Sequence, residues 1–304
     1  MSDQEKVTEN REQVLFDEVD QLRNHMADLY SDYPEHLVDE IIEKREQVVP
    51  KLLAILDEFF AQPIRNMSRE QWREGMFVFL LLANMREQKA FEYVVCLCSL
   101  PHETLGNFAG DYIQAHAAGL LASTFNGDWD TLYSLVTDPY RYEYSRVAVL
   151  EAYVILYKNY VMSREELLKL FADLFTVFYD DFSIAPSALV KCCYYIHATE
   201  LTEQTEKYFL KKIVDSNYIS QDQVKECFAR QCEEVLHELH YYRDCLEFVE
   251  DLEWGSRCLF IEKPDEPDYW ESKEYELNES VKKVGRNEKC PCGSGKKHKK
   301  CCLN

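Results

Sequence analysis

The sequence predicts an all-α protein built from paired helices, and three observations carry that prediction. Glycine and proline number 9 each among 304 residues, fewer than the tight turns of a β-protein would need. Apolar residues make up 46% of the chain and recur at helical spacing between short polar breaks. Three serines each precede a Glu or Gln by three positions, which is the pattern of a capping box. A chain of this length can bury a core in one large domain or two modest ones.

Helix starts and helix breakers give the order of the elements. In a capping box the serine side chain accepts from an early amide of the helix, and the fourth residue reaches back to the first. Each box therefore starts one helix, and the three boxes are Ser68 with Gln71, Ser163 with Glu166, and Ser220 with Gln223.

Proline and turn residues mark where helices stop. Pro50 stands between "DEIIEKREQVV" and "KLLAILDEFF", and proline suits a first turn but not a helix interior. We therefore predict that two helices meet at Pro50. Further breaks are predicted at Pro101, at Asn126 to Asp128, at Asp138 with Pro139, and at Pro186.

The spacing of helix starts indicates a repeat. The first helices of successive pairs are predicted near Glu35, Ser68, Ala109, Ser145, Ser187 and Ser220, at intervals of 33, 41, 36, 42 and 33 residues. This period, without strands, is typical of an α-solenoid of HEAT or tetratricopeptide style, in which each helix pair buries its apolar face on its neighbours. A compact irregular helical bundle is the alternative.

Composition divides the chain into four parts. We predict an N-terminal helical segment over residues 1–33, an α-helical repeat-like domain over 34–255, an acidic linker over 256–280, and a small metal-binding segment over 281–304. The linker is predicted because helical apolar spacing stops after Trp254 and Gly255, where prolines and carboxylates follow.

Charge separates the last part from the rest. Residues 281–304 hold eight Lys or Arg and one acid, so they carry +7. The other residues carry −28, which gives the chain its net charge of −21. Contact with a polyanion, if there is any, therefore belongs to the tail.

The start "MSDQEKVTEN" lacks an export signal, and no apolar run reaches the length of a membrane span, so we expect a cytoplasmic protein. Body cysteines such as Cys96, Cys98, Cys192, Cys193 and Cys227 read as reduced core thiols.

The tail has the cysteine spacing of a zinc site. Zinc prefers four thiolate or imidazole ligands in a tetrahedron, and two close cysteine pairs joined by a short glycine loop can supply them. So short a segment cannot bury much core, so metal must provide most of its order. The predicted ligands are Cys290, Cys292, Cys301 and Cys302, spaced C-x-C-x8-C-C, and the predicted polyanion-binding residues are Lys296, Lys297, Lys299 and Lys300.

The stretch "VGRNEKCPCGSGKKHKKCC" resembles the SEC-C motif, the zinc-binding tail of the preprotein translocase ATPase SecA, which also ends many otherwise unrelated bacterial proteins. The resemblance implies zinc ligation by the same four cysteines and recruitment to an export chaperone, a ribosome or anionic phospholipid. Lys289 and His298 depart from the usual pattern, in which proline and an aromatic residue are common. The body segment "VDEIIEKREQVVPKLLAIL" resembles the helical domain of a bacterial family of unassigned function that carries the same tail.

Catalytic candidates in the body are sparse. His237 and His240 share a helix face in "HELH", but the zincin motif H-E-x-x-H needs one more residue between the histidines. Cys192 and Cys193 with His197 suggest a thiol nucleophile, although "LVKCCYYIHA" is more simply a buried helix.

Three functional readings remain. The sequence favours a zinc-tailed helical adaptor that binds a protein partner over an enzyme. The alternatives are a metalloenzyme or hydrolase with a second metal site in the body, and a binder of RNA or lipid through the tail.

Overall fold

The computed structural model describes residues 17–101, 103–105, 110–232 and 249–260, and every regular element within them is helical, which confirms the all-α prediction. Short 3-10 turns link several of the α-helices. The α-helices are α1 (Glu18–Met26), α2 (Glu35–Glu43), α3 (Arg45–Phe60), α4 (Arg69–Asn84), α5 (Phe91–Cys98), α6 (Gly110–Thr124), α7 (Trp129–Thr137), α8 (Glu143–Lys158), α9 (Arg164–Val177), α10 (Ala185–Tyr195), α11 (Thr202–Leu210), α12 (Gln221–Ala229) and α13 (Leu252–Ser256).

The helices form the predicted pairs. The first helices of successive pairs are α2, α4, α6, α8, α10 and α12, and each begins within two residues of its predicted start. Helices α4, α6, α8 and α10 pack side by side, and the second helix of each pair packs against the first helix of the next. A helix pair therefore buries its apolar face on the following pair, as in a helical solenoid.

All three capping boxes are confirmed. Ser68, Ser163 and Ser220 each accept a hydrogen bond from the amide three residues on, and the Gln or Glu at that position accepts from the serine amide in return. These boxes begin α4, α9 and α12. The sequence therefore encodes these helix starts locally.

The prediction that two helices meet at Pro50 is wrong. Helix α3 runs through Pro50, and the break falls at Lys44, between α2 and α3. Pro50 is the sixth residue of α3, so its missing amide removes one helical hydrogen bond just beyond the first turn. Burial of Val48, Val49 and Leu52 on the same helix offsets that loss.

Side chains join residues one repeat apart. The Tyr112 hydroxyl donates to the carbonyl oxygen of Met76 at 2.7 Å, and the Tyr208 hydroxyl donates to that of Phe175 at 2.6 Å. These partners lie 36 and 33 residues apart in sequence, which matches the repeat. Each hydroxyl donates to a helix carbonyl of the neighbouring pair and so links successive repeats.

In the described part of the chain, four helices end on a left-handed residue that is not glycine. After α4, α8, α10 and α11 the amide two residues past the helix cap donates to a carbonyl five residues back, as in a Schellman motif. The left-handed residues are Arg86 (φ 54°), Tyr160 (φ 59°), His197 (φ 50°) and Lys212 (φ 57°). Each such residue costs about 1 kcal/mol relative to glycine.

Helix α8 is the centre of the core, with every residue from Ser145 to Leu156 buried. Arg146 on this helix is 1% exposed and donates from Nε to the Val136 carbonyl at 2.8 Å. Its guanidinium also donates to the Ser183 hydroxyl and the Asp181 carboxylate. Burial would raise the pKa of Asp181, but the hydrogen bonds from Arg146 and Ser183 outweigh it and hold that pKa below its usual value.

None of the described helices is long and apolar enough to span a bilayer. The predicted domain boundaries stay predictions. Body packing continues to Phe260, so the first residues of the predicted linker lie against the repeats.

Candidate interaction surface

The predicted metal and polyanion sites lie outside the described residues. This holds for the four tail cysteines and for the four tail lysines, and also for the histidines of "HELH" in the body. Their roles therefore stay predictions. Within residues 17–260, over the described ranges, no group of three or more His, Cys, Asp or Glu side chains is placed to hold a metal.

The cysteine-histidine candidate does not form a nucleophilic site. Cys192 and Cys193 are buried, and burial raises the pKa of the Cys193 thiol, which disfavours the thiolate that a nucleophile needs. The Nε2 atom of His197 lies 3.1 Å from the carbonyl oxygens of Cys227 and Arg230 instead. The imidazole thus caps the end of α12, and the interpretation of this segment as a buried helix is confirmed.

Among the described residues, one surface stands out: the face of the first helices on which the last described segment packs. Residues 249–260, which we call the strap, pack across α4 and reach α6. Within the strap, Val249, Leu252 and Leu259 are buried, and Asp251 caps the short helix α13 by accepting from the Trp254 amide. The strap therefore lies on the layer of first helices, more than 130 residues from its contacts in sequence.

A polar clasp holds the upstream end of the strap. Asn84, the last residue of α4, donates from Nδ2 to the carbonyl oxygens of Val249 at 2.9 Å and Glu250 at 3.3 Å. Both residues have helical conformation, and carbonyls at a helix end lack intrahelical donors. The left-handed Arg86 pairs with the Glu250 carboxylate at 3.0 Å. Both of these charged side chains are about half exposed (52% and 57%), so the ion pair contributes about 0–1 kcal/mol.

Close to its downstream end, the strap meets a buried histidine. The Cys258 sulfur lies 3.9 Å from Nε2 of His116 on α6, and the ring of Tyr112 is centred 4.5 Å from the imidazole. His116 is 1% exposed, and burial lowers its pKa to about 4. The imidazole is therefore neutral at pH 7.

An aromatic cluster receives the downstream end of the strap. The Phe260 ring makes edge contacts with Phe77 at 5.4 Å and with Tyr33 at 5.6 Å between centroids. The Arg73 guanidinium lies 5.0 Å from the centre of the same ring. Such edge and cation-π contacts contribute about 0.5–1.5 kcal/mol each beyond the area that is buried.

Arg73 is a buried cation that donates hydrogen bonds to neutral groups. It is 4% exposed, and it donates to the Asp28 carbonyl and to the Ser31 hydroxyl at 2.6 Å. Burial lowers the pKa of Arg73, because desolvation outweighs the attraction of Asp28 and Glu70. The face of Phe260 therefore adds electrostatic stabilisation that no carboxylate contact supplies in the described part of the chain.

Sequence reasoning did not find the strap. The apolar residues Leu252, Leu259 and Phe260 are spaced too irregularly to register as a helical face. The available signal was the cluster of large apolar side chains in "LEWGSRCLF", which is unusual for a solvated linker.

A separate concavity, away from the strap, lies between α11 and α12. It has a volume of about 270 Å³, with Phe209 and Phe228 among its apolar residues. Thr202 and Thr205 also line it, and both hydroxyls already donate to carbonyls of their own chain segment. Glu206 and Lys225 also line it, and both residues are exposed.

Comparison with known proteins separates the body from the tail. The family model described as "Protein of unknown function (DUF1186)" matches residues 18–258, and the SEC-C motif model matches residues 286–304. An uncharacterised protein of Chlamydia trachomatis is 25% identical over 233 residues, which cover 75% of this chain and 92% of that protein. A Chlamydia muridarum protein is 24% identical with the same coverage.

The tail matches a different class of protein. Protein translocase subunit SecA of Thermodesulfovibrio yellowstonii is 75% identical over 24 residues, which are 8% of this chain and 3% of SecA. No solved structure matches the chain. Other SecA proteins match longer segments of this chain, from 81 to 129 residues, at 25% to 39% identity.

Proposed function

The chain belongs to the DUF1186 family of proteins of unknown function, and we propose that it is an adaptor whose helical body binds a protein partner while a zinc-loaded SEC-C tail recruits the complex. The observation that carries this proposal is the modular match, with one family over the body and a separate motif over the tail. The Chlamydia relatives support separable modules, because their match takes up nearly all of their length but three quarters of this chain.

The body suits a binding role because of its architecture. Stacked helix pairs create an extended surface to which each repeat contributes, and such surfaces commonly bind proteins. The first-helix layer already receives one segment in this structure, the strap. That segment is held by a polar clasp, a contact with the buried His116 and an aromatic anchor.

The chemistry of the tail fits zinc. Its donor set, Cys290, Cys292, Cys301 and Cys302, consists of four thiols, which as thiolates are preferred ligands of Zn²⁺. Bound zinc would cross-link the two cysteine pairs and supply order that so short a segment cannot draw from a core. The lysines between the pairs would then face partners as a compact basic surface, to which an export chaperone, a ribosome or anionic phospholipid could bind.

The test compares three forms of the chain. The full chain, a chain ending at Ser280, and the full chain with all four tail cysteines replaced by serine are each used for affinity capture and for sedimentation with purified ribosomes and phosphatidylglycerol vesicles. We expect body partners to be captured by all three forms, and tail partners by the full chain alone. Retention of every partner by the truncated chain would contradict recruitment through the tail, and loss of every partner would contradict an adaptor body.

A further inference from the structure

We propose that the strap is a displaceable internal ligand, and that the first-helix surface beneath it binds a partner-protein segment with a carboxylate about ten residues before an aromatic ring. The inference rests on the proposed adaptor function and specifies its body site. In the strap the two positions are Glu250 and Phe260, which contact Arg86 and the cluster around Phe77.

The surface recognises features that a second protein could also provide. Asn84 binds main-chain carbonyls, which every polypeptide has. Arg86 at one end and Arg73 at the other are cations that select a carboxylate and the face of an aromatic ring. The strap itself is acidic, with Glu250, Asp251 and Glu253 against one arginine, Arg257. Its charge therefore complements the two arginines.

The strap can leave without unfolding the repeats. Its helix α13 has five residues, and so short a helix has little stability of its own. The helices beneath it pack on other repeat helices, α4 on α3 and α6, and α6 on α8. Opening the strap breaks the clasp, the Cys258–His116 contact and the aromatic anchor and exposes Val249, Leu252 and Leu259, while the contacts among the repeat helices are kept.

An intramolecular ligand also explains why the surface is closed in the free chain. A tethered segment competes at an effective concentration on the order of millimolar, so a weak strap still occupies its site most of the time. A partner with the same chemistry must displace it. Weakening the strap should therefore strengthen binding of any competing segment.

The test uses a fluorescein-labelled peptide of residues 249–260, with serine at the position of Cys258 to prevent disulfide formation. Fluorescence anisotropy measures its binding to the wild-type chain and to the full-length Leu252→Ala/Phe260→Ala variant, whose own strap is weakened. The matched control is Leu210→Ala/Phe182→Ala, which makes the same two substitutions at side chains that are 80% and 101% exposed.

We expect the strap variant to bind the peptide at least about ten-fold more tightly than the wild type or the control, because the tethered competitor is removed. A peptide with the Phe260→Ala substitution should bind about ten-fold more weakly, because the aromatic anchor is lost.

Equal peptide affinity for the strap variant and the wild type would overturn the proposal. Loss of cooperative unfolding in the strap variant would overturn it too, since the strap would then be part of the core. Neither result depends on capturing a partner, so failure here is distinguishable from failure of the adaptor proposal.

Discussion

The Cys258 sulfur lies 3.9 Å from Nε2 of His116, although 142 residues separate the two in sequence. This contact places the strap against a buried imidazole of the first-helix layer. Burial holds the pKa of His116 at about 4, against 6.5 for a free histidine. A proton at His116 therefore opposes both the buried environment and the packing of the strap.

The free energy of unfolding of the body should decrease as the pH is lowered, because of His116. Its folded pKa lies below its unfolded value, so the unfolded state binds more protons between those values, and the stabilisation present above pH 6.5 is lost as pH falls toward 4. Between about pH 7.5 and about pH 5 the loss from this group is about 2 kcal/mol. Urea unfolding of the wild type and of His116→Leu at both pH values measures this loss. The free energy of unfolding should change less between the two pH values in the variant than in the wild type.

The matched control for that experiment is His36→Leu, because His36 is exposed. It should retain the wild-type difference between the two pH values. An unchanged difference in His116→Leu would show that other groups cause the acid destabilisation.

Replacing a left-handed residue by glycine should stabilise the protein. Tyr160 has φ 59° and is 96% exposed, so Tyr160→Gly removes backbone strain with little loss of contact. We expect the free energy of unfolding to rise by about 0.5–1 kcal/mol. Tyr140 is 92% exposed and lacks a positive φ, so Tyr140→Gly is the control and should be neutral or destabilising. A destabilised Tyr160→Gly variant would contradict the strain argument.

The buried Arg146–Asp181 pair should be sensitive to the loss of one partner. Arg146→Met leaves the Asp181 carboxylate, with a 12% exposed side chain, without its counter-charge. We expect a loss of about 3–5 kcal/mol, and partial recovery in the double variant Arg146→Met/Asp181→Asn. Chemical denaturation of the wild type, both single variants and the double variant measures this coupling.

Lys51→Met provides the comparison, because Lys51 pairs with Asp17 at the surface and its side chain is 51% exposed. The loss of stability should be far smaller than at Arg146, because water screens an exposed ion pair. Similar losses at Arg146 and Lys51 would show that burial does not control the strength of these pairs.

The repeat could be predicted because local signals encode its helix starts. The strap could not, because it depends on contacts between residues far apart in sequence. Ser68, Ser163 and Ser220 start helices through bonds to residues three positions away, so the sequence contains the whole signal. The break at Lys44 has no such signal, because "EIIEKREQVV" is rich in helix-forming residues and tertiary packing decides where the helix ends. The strap depends on Asn84 contacting the carbonyls of residues 165 and 166 positions away, and periodicity cannot detect that.

The tail cysteines should account for the bound zinc. Cys301→Ser/Cys302→Ser removes half of the proposed ligands, so it should abolish stoichiometric zinc while helical circular dichroism is unchanged. Elemental analysis of the purified protein measures this. The prediction of a core thiol is wrong for Cys96, which is exposed, as is Cys258. The control, Cys96→Ser/Cys258→Ser, alters these two cysteines and should keep about one zinc per chain. One zinc retained in the tail variant would indicate a site in the body instead.

Binding to anionic partners should reside in the tail lysines and weaken with salt. With zinc and four thiolates the tail keeps about +5, and its attraction acts within a Debye length of about 8 Å at physiological salt. We expect replacement of Lys296, Lys297, Lys299 and Lys300 by glutamine to weaken binding to ribosomes or phosphatidylglycerol vesicles and to flatten its dependence on salt, because fewer counterions are released. The control replaces four exposed body lysines by glutamine, Lys207, Lys211, Lys212 and Lys225, and changes net charge equally. Equal weakening in both variants would mean that net charge, and not the tail, controls the contact.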